Sequence, residues 1–267
     1  MKSYLTYFKL KFISGLQYRA AALAGISTQF FFGFVYIMVY IAFFESGNPN
    51  TPMTLSQTIT YLWLNQAFFA LVNQFYKDKE LFNLVISGNI SYELARPRNL
   101  YFMWYFKILG TRLSNTVLRF LPLLIVTFLL PEPFNLSLPA SPLHFILFLI
   151  TLIVGTLLVT AIITLYPIIT LKTMNEKGVV NIFVAIADLL SGLVVPIPFF
   201  PKFLQVISSL LPFQYISDLP FRIYTGDIAL NDGIYGLIIQ TVWIFITMLI
   251  GYILMNKSLK RVAVQGG

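Results

Sequence analysis

Residues 143–170 read LHFILFLITLIVGTLLVTAIITLYPIIT, an almost unbroken apolar run without a single Asp, Glu, Lys or Arg. A helix needs about 20 mostly apolar residues to cross the hydrocarbon core of a bilayer. The rest of the chain has the same character, since 58% of its 267 residues are hydrophobic and only 10% are charged. An average soluble domain is roughly 25% charged. The stretch is therefore predicted to span a membrane.

Five further apolar runs on either side of this stretch have the length of a span. The sequence predicts an all-α membrane protein with six transmembrane helices in a single transmembrane domain over residues 1–267. The third span carries Lys107, Arg112 and Arg119, so its first part is expected to lie in the membrane interface. The predicted spans cover residues 22–44, 55–75, 101–130, 143–170, 179–197 and 233–255.

The distribution of Lys and Arg predicts the orientation, because cytoplasmic loops are enriched in these residues. Thirteen of them fall in the amino-terminal segment, in 76–99, in 171–178 and in the tail. The opposite loops hold only two, Lys202 and Arg222, together with acids that include Asp218. Both termini are predicted to be cytoplasmic, in a multi-pass protein of the inner, or cytoplasmic, cell membrane. The net charge of +8 then reflects topology, and no nucleic-acid partner is expected.

Two connecting segments are too apolar to be ordinary loops. Residues 1–20 are predicted to form an interfacial helix in contact with membrane lipids, because its apolar side chains recur on one side with lysines at the edges. Residues 198–231 are apolar and rich in proline but too short to span, which predicts outer re-entrant helices between spans five and six. The apolar positions of the first segment are Tyr4, Leu5, Phe8, Phe12 and Leu16.

Several kinds of chemistry are excluded by residue content. The chain has no cysteine and a single histidine, His144, so the usual thiolate and histidine metal sites cannot form. The phosphate-binding pattern G-x-x-x-x-G-K-[ST] is absent, so the chain is not expected to hydrolyse nucleotides. We predict that the chain is not an enzyme, with no catalytic residues, no metal and no cofactor of its own.

Three charges inside the predicted spans are candidate pathway or intramembrane residues: Asp188, Arg119 and Arg112. A carboxylate at membrane depth needs a partner, a water-filled cavity or a proton. Arg119 is the first candidate partner of Asp188, followed by Arg112 and Lys107. A packing pair and a place along a substrate path both remain open at this point.

Two segments resemble a known family, the ABC-2 type permeases of ATP-driven exporters. Residues 191–201 (SGLVVPIPFFP), 210–215 (LLPFQY) and 223–226 (IYTG) resemble the family's outer signature. Residues 86–97 (ISGNISYELARP) are similar to the pattern G-x-I-x-x-x-L-x-R-P of its six-span subgroup. The outer motif residues are Gly192, Pro196, Pro201, Pro212, Phe213 and Gly226.

The resemblance implies that residues 76–99 form a cytoplasmic coupling helix between spans two and three, which rests on an ABC ATPase. Ile86, Ile90 and Leu94 are spaced i, i+4 and i+8, which predicts an apolar docking stripe on one helix face. An interfacial helix lying on lipid without a protein partner is the alternative. The candidate coupling residues are Ile86, Gly88, Ile90, Glu93, Leu94, Arg96 and Pro97.

The resemblance also implies the assembly. Two permease chains, as a homodimer or a paired heterodimer, would form the pathway, and two ATPase copies would bind ATP and Mg. The expected cargo is amphipathic or hydrophobic: a peptide, a drug or a lipid-like molecule. An ion-driven secondary transporter without an ATPase is the alternative function, and co-purification of an ATPase in a 2:2 ratio would discriminate the two.

Overall fold

The computed structural model describes residues 2–47, 51–75, 78–90, 93 and 98–260, and this part of the chain contains helices, turns and connections but no strand. The predicted all-α class is confirmed. Two short 3-10 turns cover Ile197–Phe199 and Phe213–Tyr215. The α-helices are α1 (Lys2–Gly15), α2 (Arg19–Glu45), α3 (Leu55–Val72), α4 (Lys79–Ile86), α5 (Leu100–Phe128), α6 (Pro142–Thr173), α7 (Glu176–Leu190), α8 (Lys202–Ser209), α9 (Asp218–Thr225) and α10 (Leu230–Leu259).

Within the described ranges, four helices are long and apolar enough to cross a membrane: α2, α5, α6 and α10. The predicted second and fifth spans correspond to α3, with 18 residues, and α7, with 15. Buried polar side chains on α3, such as Asn65 and Gln66, lower its apolar character. Helix α7, the predicted fifth span, ends at Leu190, seven residues before the predicted boundary, because the chain turns at Gly192 with a φ of +79°. That the chain crosses the membrane six times remains a prediction.

Helix α6 is the centre of the bundle, and it packs against α10, α9, α5, α7 and α4. The hydroxyl groups of its buried threonines form hydrogen bonds within α6 and not to other helices. Each donates its hydroxyl hydrogen to the backbone carbonyl four residues earlier, as Ser and Thr side chains in helices often do. These bonds join Thr151 to Leu147, Thr156 to Leu152, Thr160 to Thr156, Thr164 to Thr160 and Thr170 to Tyr166.

The amino-terminal helix α1 packs on protein, along α5. A Cβ atom added to Gly110 would lie 2.7 Å from the carbonyl oxygen of Phe8, so only glycine permits this approach. At the start of α5, the backbone N–H of Asn99 donates to the Tyr4 hydroxyl at 3.0 Å. Helix α1 is therefore fixed to α5, and its position in a membrane interface remains a prediction.

The up-and-down course of the chain gives the bundle two ends. At the end that we call the α4 end, α4 packs on α6 close to the start of α5. At the opposite end, the α9 end, Gln57 of α3 donates to the Thr225 carbonyl at 3.3 Å. There the connection between α5 and α6 also bonds to α9, through the Tyr224 hydroxyl and the carbonyl of Ser137 at 3.1 Å.

Candidate functional site

The first candidate site lies at the α4 end, where Asp78 begins α4. Its Oδ1 accepts the backbone N–H of Leu81 at 3.1 Å, which satisfies a free donor of the first turn. Leu81, Phe82 and Val85 are buried, and α4 packs on α6. The segment is thus held by a polar cap at its start and by an apolar face along its length.

Four charged side chains join α1, α4 and α5 at this end, and we call them the charged junction: Lys11, Asp78, Glu80 and Lys107. The Nζ of Lys107 lies 3.0 Å from Asp78 Oδ1 and 2.8 Å from Glu80 Oε2. The Nζ of Lys11 lies 2.9 Å from the same Glu80 oxygen. The Lys107 side chain is 3% exposed, so water does not separate it from its partners. Lys107 in the first third of α5 is therefore packed against protein, and the position of this part of α5 in the membrane interface remains a prediction.

Glu80 is shared between the two lysines of the charged junction. Its partial burial opposes ionisation, but hydrogen bonds from Lys107 and Lys11 outweigh this and lower the pKa of the Glu80 carboxyl below its ordinary value. Glu80 therefore carries a negative charge at neutral pH and holds both lysines at once.

The predicted continuous docking stripe is not formed. Helix α4 ends at Ile86, and Gly88 has a φ of +74°, which turns the chain before Ile90. Ile86 is 45% exposed, whereas Ile90 is 1% exposed and packs in the core of the chain itself. Glu93 is helical and half-buried, while Leu94, Arg96 and Pro97 lie outside the described residues. A positive φ at one glycine thus removes Ile90 from any partner-facing surface.

The second candidate site, at the α9 end, is a buried polar cluster around Asp218, which is 1% exposed. Its Oδ1 accepts the backbone N–H of Ile197 at 3.1 Å and lies 3.1 Å from the Tyr61 hydroxyl. Its Oδ2 lies 3.3 Å from Arg222, which also bonds Asp227 at 2.5 Å. Burial raises the pKa of Asp218, and the neighbouring Arg222 guanidinium only partly offsets this.

Sequence analysis missed this cluster, because it counted Asp218 as an acid of an outer loop. One signal was present: Asp218 and Arg222 are spaced i, i+4, the spacing that brings opposite charges together on a helix. The contribution of Tyr61, from α3, has no sequence signal, since it depends on how two distant segments pack.

The outer motif residues surround the same cluster. Gly192 contacts it directly, since an added Cβ would lie 2.5 Å from the Tyr61 hydroxyl and 2.9 Å from Asp218 Oδ1. Gly226, with a φ of +74°, ends α9. Three prolines precede helical turns and Phe213 is buried in the second 3-10 turn, so the motif builds the connection from α7 to α9. The prolines are Pro196, Pro201 and Pro212.

The sequence profile of the ABC-2 family transporter proteins matches residues 25–266, which include the Asp218 cluster and all of the charged junction except Lys11. The chain belongs to this family. No curated protein matches it. It is a multi-pass membrane permease of an ABC transport system, and the family implies an ABC ATPase as partner.

Among the described residues of the permease, no ion pair joins the three candidate intramembrane charges to one another. The buried Arg112 guanidinium donates to the carbonyl oxygens of Leu71 and Asn73, with 2.7 Å to the latter. It thereby supports the end of α3, where free carbonyls attract a cation. The Nε of Arg119 and the Oδ1 of Asp188 are each buried without a hydrogen-bond partner in the described part of the chain.

Metal binding has no support in the described ranges of the permease, where no group of His, Cys, Asp and Glu side chains is arranged to hold an ion. The charged junction and the Asp218 cluster hold their acids against lysine or arginine. Both arrangements serve to fix helices and connections in place.

Proposed function

We propose that the chain is the permease subunit of an ABC exporter and that residues 76–99 couple it to the ATPase. The observation that carries this proposal is the charged junction, in which one short segment is bonded to two helices at once. A displacement of α4 acts on α5 through Lys107 and on α1 through Lys11. It also acts on α6 through the buried apolar face of α4.

The orientation required by this mechanism agrees with the charge distribution. Those of the thirteen Lys and Arg residues that the structure describes lie in segments at the α4 end, and Lys202 and Arg222 lie in segments at the α9 end. By the enrichment of these residues in cytoplasmic loops, the α4 end faces the cytoplasm. The ATPase, which binds ATP and Mg, then meets the permease at α4.

The proposed docking surface differs from the stripe derived from spacing. Ile86 stays in it because 45% of its surface is exposed at the end of α4, and Phe75, which precedes the start of α4, is 60% exposed. Glu93, with Leu94, Arg96 and Pro97, remains assigned to the coupling segment on the sequence pattern alone. We assign these two exposed apolar side chains, Phe75 and Ile86, to the docking patch, which would enter a groove on a partner protein.

Two permease chains, identical or paired, form the pathway in this proposal, and each contributes half. The cargo is amphipathic or hydrophobic, because the spanning helices present mainly apolar and aromatic side chains. Asp188 is assigned to the pathway, since its buried and unpartnered Oδ1 requires a hydrogen-bond donor that the described part of the chain does not supply. Asp188→Asn is expected to reduce transport more than membrane yield.

The test of coupling uses the permease reconstituted with its co-purified ATPase in proteoliposomes, with ATPase stimulation and cargo export both measured. Ile86→Asp places a charge in the docking patch and is expected to abolish stimulation at normal membrane yield. Ile234→Asp is the matched control, because Ile234 is 50% exposed at the start of α10, at the opposite end. It should leave coupling intact.

Two results would contradict the proposal. One is normal coupled turnover in Ile86→Asp together with the segment variants Glu93→Arg and Leu94→Asp. The other is a purified, transport-active assembly that contains no ATPase and responds to an ion gradient instead. A 2:2 ratio of permease to ATPase supports the proposal.

A further inference from the structure

A recess between α2 and α3 is not used by either candidate site. Its volume is about 250 Å³, and its wall combines aromatic rings with amide and hydroxyl groups. The rings of Phe32 and Phe69 are partly exposed at its rim, with 45% and 37% of their surfaces accessible. The lining residues are Thr28, Gln29, Phe32, Tyr36, Gln66 and Phe69.

Gln29 is the unusual member of this lining. Its side chain is 5% exposed, and neither its Oε1 nor its Nε2 has a hydrogen-bond partner in the described part of the chain. A buried amide without a partner costs free energy comparable to a lost hydrogen bond for each unmet group. Such an amide at the wall of a recess points to a ligand that supplies the missing bonds.

Arg119 belongs to α5 and is not one of the lining residues, but its guanidinium lies beside the recess, one helical turn along α2 from Gln29. A Cβ added to Gly25 would lie 2.7 Å from the Cζ of Arg119, so the guanidinium lies directly against Gly25. Gly25 and Gln29 are spaced i, i+4 and share one side of α2. The Nε of Arg119 is buried without a partner, and Arg119 forms no ion pair with the residues that the structure describes.

We propose that the recess binds an amphipathic anion. Its anionic group, a carboxylate or a phosphate, is held by the Arg119 guanidinium and the Gln29 amide, and its apolar body lies against Phe32, Tyr36 and Phe69. The charge of Arg119 sets the sign of the ligand, since no acidic side chain lines the recess. This inference rests on the proposed function, in which such a molecule is the cargo.

Direct binding to the purified full-length permease in phosphatidylcholine nanodiscs tests the inference. The probe is radiolabelled hexadecyl phosphate, measured by scintillation proximity and displaced with unlabelled hexadecyl phosphate or with hexadecanol, its neutral counterpart. Wild type is expected to bind the phosphate about tenfold more tightly than the alcohol, because one charge-assisted hydrogen-bond pair is gained. Added phosphatidylglycerol tests whether an anionic membrane lipid competes for the same site.

Three variants separate the roles of charge and amide. Arg119→Gln is expected to lower the affinity for hexadecyl phosphate to that for hexadecanol. Arg119→Lys is expected to keep most of the difference in affinity between the two ligands. Gln29→Leu should weaken both ligands several-fold. Lys202→Gln is the matched control, because it removes an exposed positive charge outside the recess and should change nothing.

The inference is overturned if wild type binds phosphate and alcohol equally, or if Arg119→Gln keeps the full preference. Displacement by phosphatidylglycerol supports an anion site whose occupant is a membrane lipid, and resistance to it supports a transported amphiphile. The assay contains no ATPase. Failure here with intact ATP-driven export refutes the anion site alone. Anion binding by a permease that co-purifies with no ATPase and shows no ATP-driven export refutes the proposed function alone.

Discussion

The Nζ of Lys107 lies 3.0 Å from Asp78 Oδ1, although Lys107 belongs to the interior of α5 and Asp78 begins α4. The same Asp78 oxygen accepts the backbone N–H of Leu81. One carboxylate therefore starts a helix and fastens it to another. Disturbing this pair changes both the local helix and its attachment, and the two effects can be separated by substitution.

Lys107→Met is expected to lower the free energy of unfolding by about 3 kcal/mol, because it leaves the shielded Asp78 carboxylate without its counter-charge. Unfolding in mixed detergent micelles, followed by circular dichroism, measures the change. Lys202→Met is the control, since Lys202 is exposed. Equal effects of the two substitutions would show that the ion pair does not stabilise the fold.

Asp78→Asn isolates the ion pair from the cap, because asparagine caps helices about as well as aspartate. We expect it to lower the free energy of unfolding less than Lys107→Met does, since Lys107 keeps its ion pair with Glu80 at 2.8 Å. The same unfolding measurement applies. A decrease in the free energy of unfolding as large as that of Lys107→Met would mean that the ion pair between Lys107 and Glu80 does not compensate for the lost pair with Asp78.

The stability of the permease should depend on pH partly through the ionisation of Glu80. A carboxyl whose pKa is lowered by folding stabilises the fold above its ordinary value of 4.5, and this contribution disappears as the pH falls through the lowered value. We therefore expect Glu80→Gln to be less stable than wild type at pH 7, with the difference closing in acid. Melting temperatures from pH 7 to pH 3 test this, and a pH-independent difference would contradict it.

Gly192→Ala should impair folding more than its backbone conformation alone explains. A left-handed φ costs a non-glycine residue about 1–2 kcal/mol, and the new methyl group would also contact the Tyr61 hydroxyl and Asp218. Gly47→Ala is the matched control, since Gly47 has a φ of +78° and no atom within 4 Å of the added Cβ. Equal membrane yields of the two variants would contradict the close packing at Gly192.

The stability of the permease should depend on the hydrogen-bonding side-chain oxygen at position 218 and not on its negative charge. Because folding raises the pKa of Asp218, its ionisation weakens the fold as the pH rises above the ordinary value of 3.8. Asp218→Asn removes this cost and keeps an acceptor for the N–H of Ile197, so stability at pH 7 is expected to be maintained or raised. Asp218→Leu should cost about 1–3 kcal/mol for each unmet group. Equal melting temperatures of the two variants would contradict this assignment.

The sequence could predict which segments are helical, because that information is local. Apolar runs and their periodicity predicted α1, α2, α5, α6 and α10, with boundaries off by a few residues. The turn residues of the outer motif predicted the interruptions between α7 and α9. These local signals alone were enough to predict the all-α class, which the structure confirms.

Contacts between segments were not predictable in the same way. Spacing placed Ile86 and Ile90 on one stripe, but a positive φ at Gly88 between them directs Ile90 into the core. The charge count placed Asp218 among the acids of the outer loops, whereas the fold buries it against Tyr61 and Arg222. Such outcomes depend on backbone turns and on tertiary packing, which no single segment encodes.

The threonines of α6 have a mechanical consequence. Each hydroxyl is bonded to the backbone of α6, so rotation or sliding of neighbouring helices breaks no bond to these side chains. Where neighbours do grip α6, as Gln240 does at the Thr151 carbonyl and Tyr105 at the Leu157 carbonyl, the contact is local. The contacts of α6 with its neighbours are therefore made by close packing and by a few bonds to its backbone carbonyls, and its threonine hydroxyls impose no register between helices.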